Sequence, residues 1–324
     1  MTKKLFCLLL TIILCLGMTA FAEEGDLLAR IQEKGEIVIA TEGTWAPWTY
    51  HDENDNLVGF DVEVAQKIAE KLGVTATFEE CAWDSIFAGL DAERYDLAAN
   101  GIEVTDERAE KYDFTTPYGY IRTALIVRGD NDEITTFEDL AGKKTANSIA
   151  STYMTLAESY GAEAVGVDTL DQTIEMVLYG RADATLNAEV SYYDYLRVHP
   201  DANLKVVALT EEASLVSIPV RKGDDSASLL EAINQAIVEL TESGELSEIS
   251  IKYFGSDIAP QPAEYFFSKP SFSDGFFFRF SVKCAIILSA KYPARRMLYE
   301  KTAHETGPSR FPHLSRHSRR RRTV

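Results

Sequence analysis

The chain has 324 residues, 26% charged and 46% apolar, with a formal net charge of -19. The acidity is uneven: residues 23–262 hold 17 Lys/Arg against 47 Asp/Glu, a balance of -30, whereas residues 263–324 hold 13 against 4, a balance of +9. A core this acidic repels phosphate backbones, which excludes nucleic acid as its partner, and the scattered cysteines and histidines spell no disulfide framework, metal knuckle or cofactor site.

At the N-terminus, Lys3 and Lys4 precede an apolar run from Leu5 that ends in Ala20-Phe21-Ala22, the three-part layout of a secretory signal. The run is short for a membrane span. The sequence therefore predicts cleavage after residue 22 and export across the cytoplasmic membrane, to a periplasm or cell surface. Cys15 follows Leu14, where a lipoprotein signal needs a small residue, so a lipid anchor is disfavoured. Only Cys81 and Cys284 then remain, and Cys81 reads as a buried free thiol.

Further along, Ile37–Ala40 reads as a short buried strand followed by a polar loop. Gly59-Phe60-Asp61 opens a helix with acids in its first turn, where they complement the macrodipole; Val64, Ile68, Ala69 and Leu72 form its apolar stripe and Gly73 stops it. A strand at 74–78, a helix over 83–90 and a strand at 95–99 follow, the last delivering Asn100 and Gly101 at its carboxyl end. Around residues 123–127 the chain crosses into a second lobe. There a short helix and turn over 137–144, helices stopped by Gly161 and Gly180, and strands at 184–186 and 204–209 continue the alternation. Residues 215–220 return to the first lobe, where 229–240 form an amphipathic helix.

This pattern predicts an α/β fold of two lobes: 23–120 begins the first, 121–212 makes the second and 213–262 completes the first. Ligands of such sheets sit outside the carboxyl ends of the strands, here in one cleft between lobes. No GxGxxG or GxxxxGK[ST] pattern supports a nucleotide site.

Three blocks in order carry a resemblance: Glu42-Gly43-Thr44-Trp45-Ala46-Pro47-Trp48, the Gly59–Gly73 helix, and Thr105-Asp106-Glu107-Arg108 with Tyr112-Asp113-Phe114-Thr115. Together they resemble the polar amino-acid-binding class of ABC-transporter solute-binding proteins, over the whole of the acidic core. The resemblance implies a two-lobed periplasmic-binding-protein-like type II fold with a hinge. It also implies a non-enzymatic, monomeric protein without cofactor or metal that captures a polar L-amino acid and delivers it to an ABC permease. Arg108 is then the grip on the ligand's α-carboxylate, which a planar fork of donors suits. Trp45 and Trp83 are walls around the ligand side chain, and Trp48 is core. Asn100 and Gly101 match loop positions that meet the ligand, as Glu42 does at the head of the first block. Ala150-Ser151-Thr152 matches a loop that opens a helix, whose amides and hydroxyls suit a carboxylate.

Two positions depart from that family. Glu103 stands where Ser or Thr is usual, and Ala188 stands where an acid for the α-ammonium is usual; Glu103 or Glu189 is then the replacement acid. The first block and Trp83-Asp84 look most similar to cystine-type members. A cyclohexadienyl dehydratase-like enzyme and a ligand-sensing module share the fold and stand as alternatives. The basic tail, 263–324, extends beyond the usual end of the family near Ile251–Gly255; it reads either as an arm for anionic lipid or wall polymer or as a segment with no selected role.

Overall fold

The computed structural model describes residues 26–261, so the signal and the basic tail lie outside the described residues. In the first lobe the chain runs α1 (Leu27–Lys34), β1 (Glu36–Thr41), a small hairpin sheet of β2 (Thr44–Trp45), β3 (Thr49–His51) and β4 (Leu57–Val58), and α2 (Phe60–Leu72). Then come β5 (Thr75–Glu80), α3 (Ile86–Asp91), β6 (Leu97–Ala98), α4 (Asp106–Lys111), β7 (Tyr112–Phe114) and β8 (Gly119–Ile121). The second lobe holds β9 (Thr123–Arg128), β10 (Lys144–Ser148), α5 (Thr152–Ser159), β11 (Glu163–Val167), α6 (Leu170–Leu178), β12 (Ala184–Ala188), α7 (Glu189–Val198) and β13 (Leu204–Leu209). The return consists of β14 (Ser214–Val216), β15 (Pro219–Arg221), α8 (Ala227–Ser243) and α9 (Glu245–Phe254).

In the first lobe β1 lies between β5 and β6, parallel to both. The second lobe has a five-stranded sheet, β11-β10-β12-β9-β13, in which β10 is parallel to β11 and β12 while β9 runs antiparallel to β12 and β13. The chain leaves the first lobe after β8 and re-enters at β14, and these two strands pair antiparallel. Both crossings are therefore side by side, the arrangement of a hinge. The carboxyl ends of β1, β6, β10 and β12 deliver Glu42, Asn100, Ser148 and Asn187 to one region, as open α/β sheets place their ligand loops.

Helix α2 shows how the sequence builds this. Its apolar stripe, Val64, Ile68, Ala69 and Leu72, is buried together with Phe60 and Val62. The amide of Phe60 donates to Pro47 O at 3.0 Å and that of Asp61 to Trp48 O at 3.0 Å, so the helix start is stitched to the loop that carries Trp45. Gly59 makes this approach possible with φ 136° and ψ 173°, a region closed to residues with a Cβ. Three expectations change in detail. Residues 83–85 form a 3-10 turn before α3, and the return segment 215–220 is split into β14 and β15. Cys81 is free and half-buried rather than fully buried. No helix among the described residues is long and apolar enough to cross a membrane.

Candidate functional site

A cavity of about 30 Å³ lies between the lobes, lined from the first by Glu42, Thr44, Trp45, Trp83, Asn100, Gly101, Glu103 and Arg108, and from the second by Ser148, Ser151, Thr152, Tyr153, Leu170 and Asn187. Nine of the eleven residues singled out in the sequence are brought together here. Ala150 and Glu189 are not. Ala150 is exposed at φ 58°, in the turn before α5. Glu189 opens α7 and pairs with Arg122 at 3.1 Å, its charge spent away from the cavity. Sequence reasoning missed Thr44, Ser148, Tyr153, Leu170 and Asn187. For Ser148 and Asn187 the carboxyl-end rule held the signal, since both close parallel strands; Leu170 and Tyr153 read as helix core.

Arg108 follows from local chemistry. Thr105 caps α4 by accepting from the Arg108 amide at 3.2 Å, which places the side chain one turn in, and Nη1 donates to Glu103 O at 2.9 Å. The guanidinium lies 5.3 Å from the Trp83 ring centroid and 5.2 Å from that of Phe87, resting against the corner that these two edge-to-face rings form. Burial depresses its pKa, and the Glu103 charge acts in the opposite direction. Glu107 pairs with Lys111, at 3.4 Å, and its charge acts on Arg108 less than that of Glu103 does. Trp83 thus serves as a platform for the guanidinium as well as a cavity wall.

Facing it across the cleft is the start of α5. Ser151 caps the helix by accepting from the Met154 amide at 3.1 Å, and Thr152 Oγ1 donates to Glu103 Oε1 at 3.0 Å. Glu103 is 6% exposed, and its bond to Thr152 ties one lobe to the other. A second tie is the Trp48 indole, which donates from Nε1 to Ser191 Oγ at 2.9 Å, both residues fully buried. Trp48 is therefore core, and part of the interlobe contact too.

Behind the cavity, Asn100 is fixed by its own bonds. Its Oδ1 accepts from Glu42 N at 2.8 Å, Thr41 Oγ1 at 3.1 Å and Thr49 Oγ1 at 3.3 Å, so Nδ2 is left to donate to Glu42 Oε2 at 2.7 Å. Asn100 acts by orienting Glu42. Asp61, expected as a dipole partner on α2, is fully buried instead and accepts from the Gly101 amide and from Tyr118 Oη at 2.7 Å. It clamps the loop carrying Gly101.

Burial pushes both carboxyls up to about 7, Asp61 against the pull of Tyr118 and Gly101 and Glu42 against that of Asn100. A carboxyl raised on folding stabilises the folded form by holding its proton. That contribution is complete below the unfolded value near 4 and is lost as pH rises through about 7. The exposed carboxylates lowered by partners, such as Asp52 and Asp139, act in the opposite sense only below their ordinary range. The ligand-free protein is therefore expected to be more stable at pH 5.5 than at pH 8, by on the order of 2 kcal/mol, and Asp61→Asn to flatten that slope. Urea midpoints at the two pH values check this; equal slopes for variant and parent refute it.

The fold and this cleft define a hinged, two-lobed solute-binding protein. The family model for bacterial extracellular solute-binding proteins, family 3, matches residues 37–256, and the chain belongs to that family. It is 40% identical over 239 residues to the L-cystine-binding protein TcyA of Bacillus subtilis, covering 74% of this chain and 88% of the relative. Among solved structures, the L-cystine solute receptor of Neisseria gonorrhoeae in its unliganded open conformation is 40% identical, with 73% of this chain and 100% of that chain covered, at a TM-score of 0.53. An ancestral arginine-binding protein bound to arginine is 34% identical, covers 68% and 99%, and superposes better, at 0.64. These relatives are named as binding proteins, one of them a probable amino-acid ABC transporter-binding protein of Haemophilus influenzae, and the chain is a binding protein rather than an enzyme.

Proposed function

We propose that the chain captures a polar L-amino acid in this cleft, with cystine as the first candidate, and presents it to an ABC permease as an exported, monomeric protein freed of its signal at residue 22. In this reading Arg108 and the start of α5, Ser151 and Thr152, hold the α-carboxylate. Glu103 holds the α-ammonium in place of the missing acid at Ala188, and Glu42, Trp45, Trp83 and the Gly101 loop surround the side chain. The observation that carries the reading is the half-buried guanidinium, resting against Trp83 and Phe87 and facing a helix start on the opposite lobe. Such a pair of anchors on two lobes gives a ligand more contacts in the closed state than in the open one, which is what drives closure.

Glu103 supplies the test. A thermal-shift screen across the amino acids and cystine finds the ligand, since a hundredfold excess over the dissociation constant stabilises by about 2.7 kcal/mol. Glu103→Gln keeps an acceptor for Thr152 but removes the charge. Its dissociation constant for that ligand, read by calorimetry, is expected to rise by roughly ten- to a hundredfold. No shift with any amino acid disproves the function; an unchanged constant disproves only the role of Glu103.

A further inference from the structure

The two interlobe hydrogen bonds differ in kind. The first joins Thr152 to Glu103, both of which line the cavity, so a ligand competes for each partner. The second joins the Trp48 indole to Ser191 Oγ at 2.9 Å, and neither of these residues lines the cavity. Both are fully buried, so water does not reach the bond while the lobes are together.

Trp48 is held on the first-lobe side, in the loop between β2 and β3. Its ring is edge-on to Phe60 at 5.6 Å and 87°, tilted on Phe254 of α9 at 4.9 Å, and stacked on Trp45 at 5.2 Å and 18°. A ring packed in this way has little freedom to turn, so the direction of its N–H is set within the first lobe. Ser191 is held on the second-lobe side, in the first turn of α7, which packs against α9 across the lobe boundary. Glu189, the leading residue of that helix, is braced to the crossing segment between β8 and β9. Its amide donates to Arg122 O at 3.0 Å, and its carboxylate accepts from the Arg122 guanidinium at 3.1 and 3.4 Å. Further along the helix, Asp194 bears on β3: burial raises the Tyr50 phenol, and the Asp194 charge acts in the same direction.

We propose that Ser191 is a positioning residue for ligand capture: its hydroxyl latches Trp48 as the lobes close, and so sets the balance of open and closed forms without touching the ligand. Opening separates the pair and returns both groups to water. Closing without the hydroxyl would bury a bare indole N–H, and an unpaired buried donor costs more than the bond it has lost. The latch therefore favours the closed form alone, and a ligand bound by that form gains whatever population the latch supplies. Because the latched ring stacks on Trp45, it also backs a wall of the cavity.

Ser191→Ala tests this in the full chain, with L-cystine, L-glutamine and L-arginine as probes in calorimetry and stopped-flow. For the probe that the parent binds most tightly, the dissociation constant is expected to rise about tenfold, 1.4 kcal/mol, through faster dissociation. A merely structural role would instead lower the binding stoichiometry and leave the constant alone. Trp48→Phe, which deletes the N–H but keeps a ring, is expected to weaken binding as well, and Ser191→Ala added to it to cost less than about twofold more. An unchanged constant in Ser191→Ala, or a further tenfold loss on top of Trp48→Phe, overturns the latch while leaving amino-acid binding intact. The affinity measurements rest on the amino-acid-binding reading above. Should the parent bind none of the probes, that reading is judged by the thermal-shift screen, and small-angle X-ray scattering of the ligand-free chain decides the latch: Ser191→Ala is expected to have the larger radius of gyration, and equal radii overturn it. Should Trp48→Phe fail to fold, the constant and dissociation rate of Ser191→Ala decide alone.

Discussion

Arg108→Met is expected to abolish measurable binding of the amino acid that the parent carries. Its guanidinium is half-buried, spends one donor on Glu103 O and belongs to a residue that lines the cavity. Removing one partner of a buried, hydrogen-bonded charge pair costs on the order of 2 to 5 kcal/mol, or roughly thirty- to several-thousandfold in affinity. Methionine covers the same faces of Trp83 and Phe87 with a flexible thioether that packs well on rings, so the fold should survive. Calorimetry on the folded variant is the check. Full affinity retained would remove the anchor on which the cleft assignment stands.

Gly59→Ala is expected to cause the largest loss of stability. A Cβ at Gly59 would come 2.1 Å from Trp48 O and 2.9 Å from Thr49 N, both backbone atoms with nowhere to retreat. Its φ of 136° adds strain that a side chain cannot relieve. Together these put the cost at about 3 kcal/mol or more. The damage should reach the site, because the same junction holds Asp61 under the Gly101 amide. A denaturant midpoint equal to that of the parent would contradict the geometry; so would undiminished ligand affinity in a variant that is destabilised as expected.

The alternation of strands and helices was legible because periodicity reports burial, and α2 is the clearest case: the stripe that predicts the helix is the stripe that is buried. The cleft residues at strand ends, Glu42, Asn100 and Gly101, were legible for the same topological reason. Less visible was what each side chain is bonded to. Nothing local distinguishes Asp61, an acid in a helix's first turn, from an exposed dipole partner, since its burial depends on Tyr118, 57 residues away. Likewise Glu189 reads as a cleft acid until Arg122, distant in sequence, is seen to hold it. Asn100 has the composition of a ligand contact, and only its three donors show that it orients Glu42 instead. Contacts between distant segments carry these roles, and one sequence does not record them.

Phe254, at the end of α9, packs on Trp48 with centroids 4.9 Å apart and on Phe60 at 4.9 Å. An early part of the nascent polypeptide therefore waits for the last helix of the described residues before its aromatic cluster is closed. A chain emerging N-terminus first from a ribosome or a translocation pore has no complete first lobe until some 250 residues have cleared it. Delayed assembly of this kind keeps the polypeptide threadable throughout its passage, and the insertion of one lobe within the other is what builds the delay into the topology.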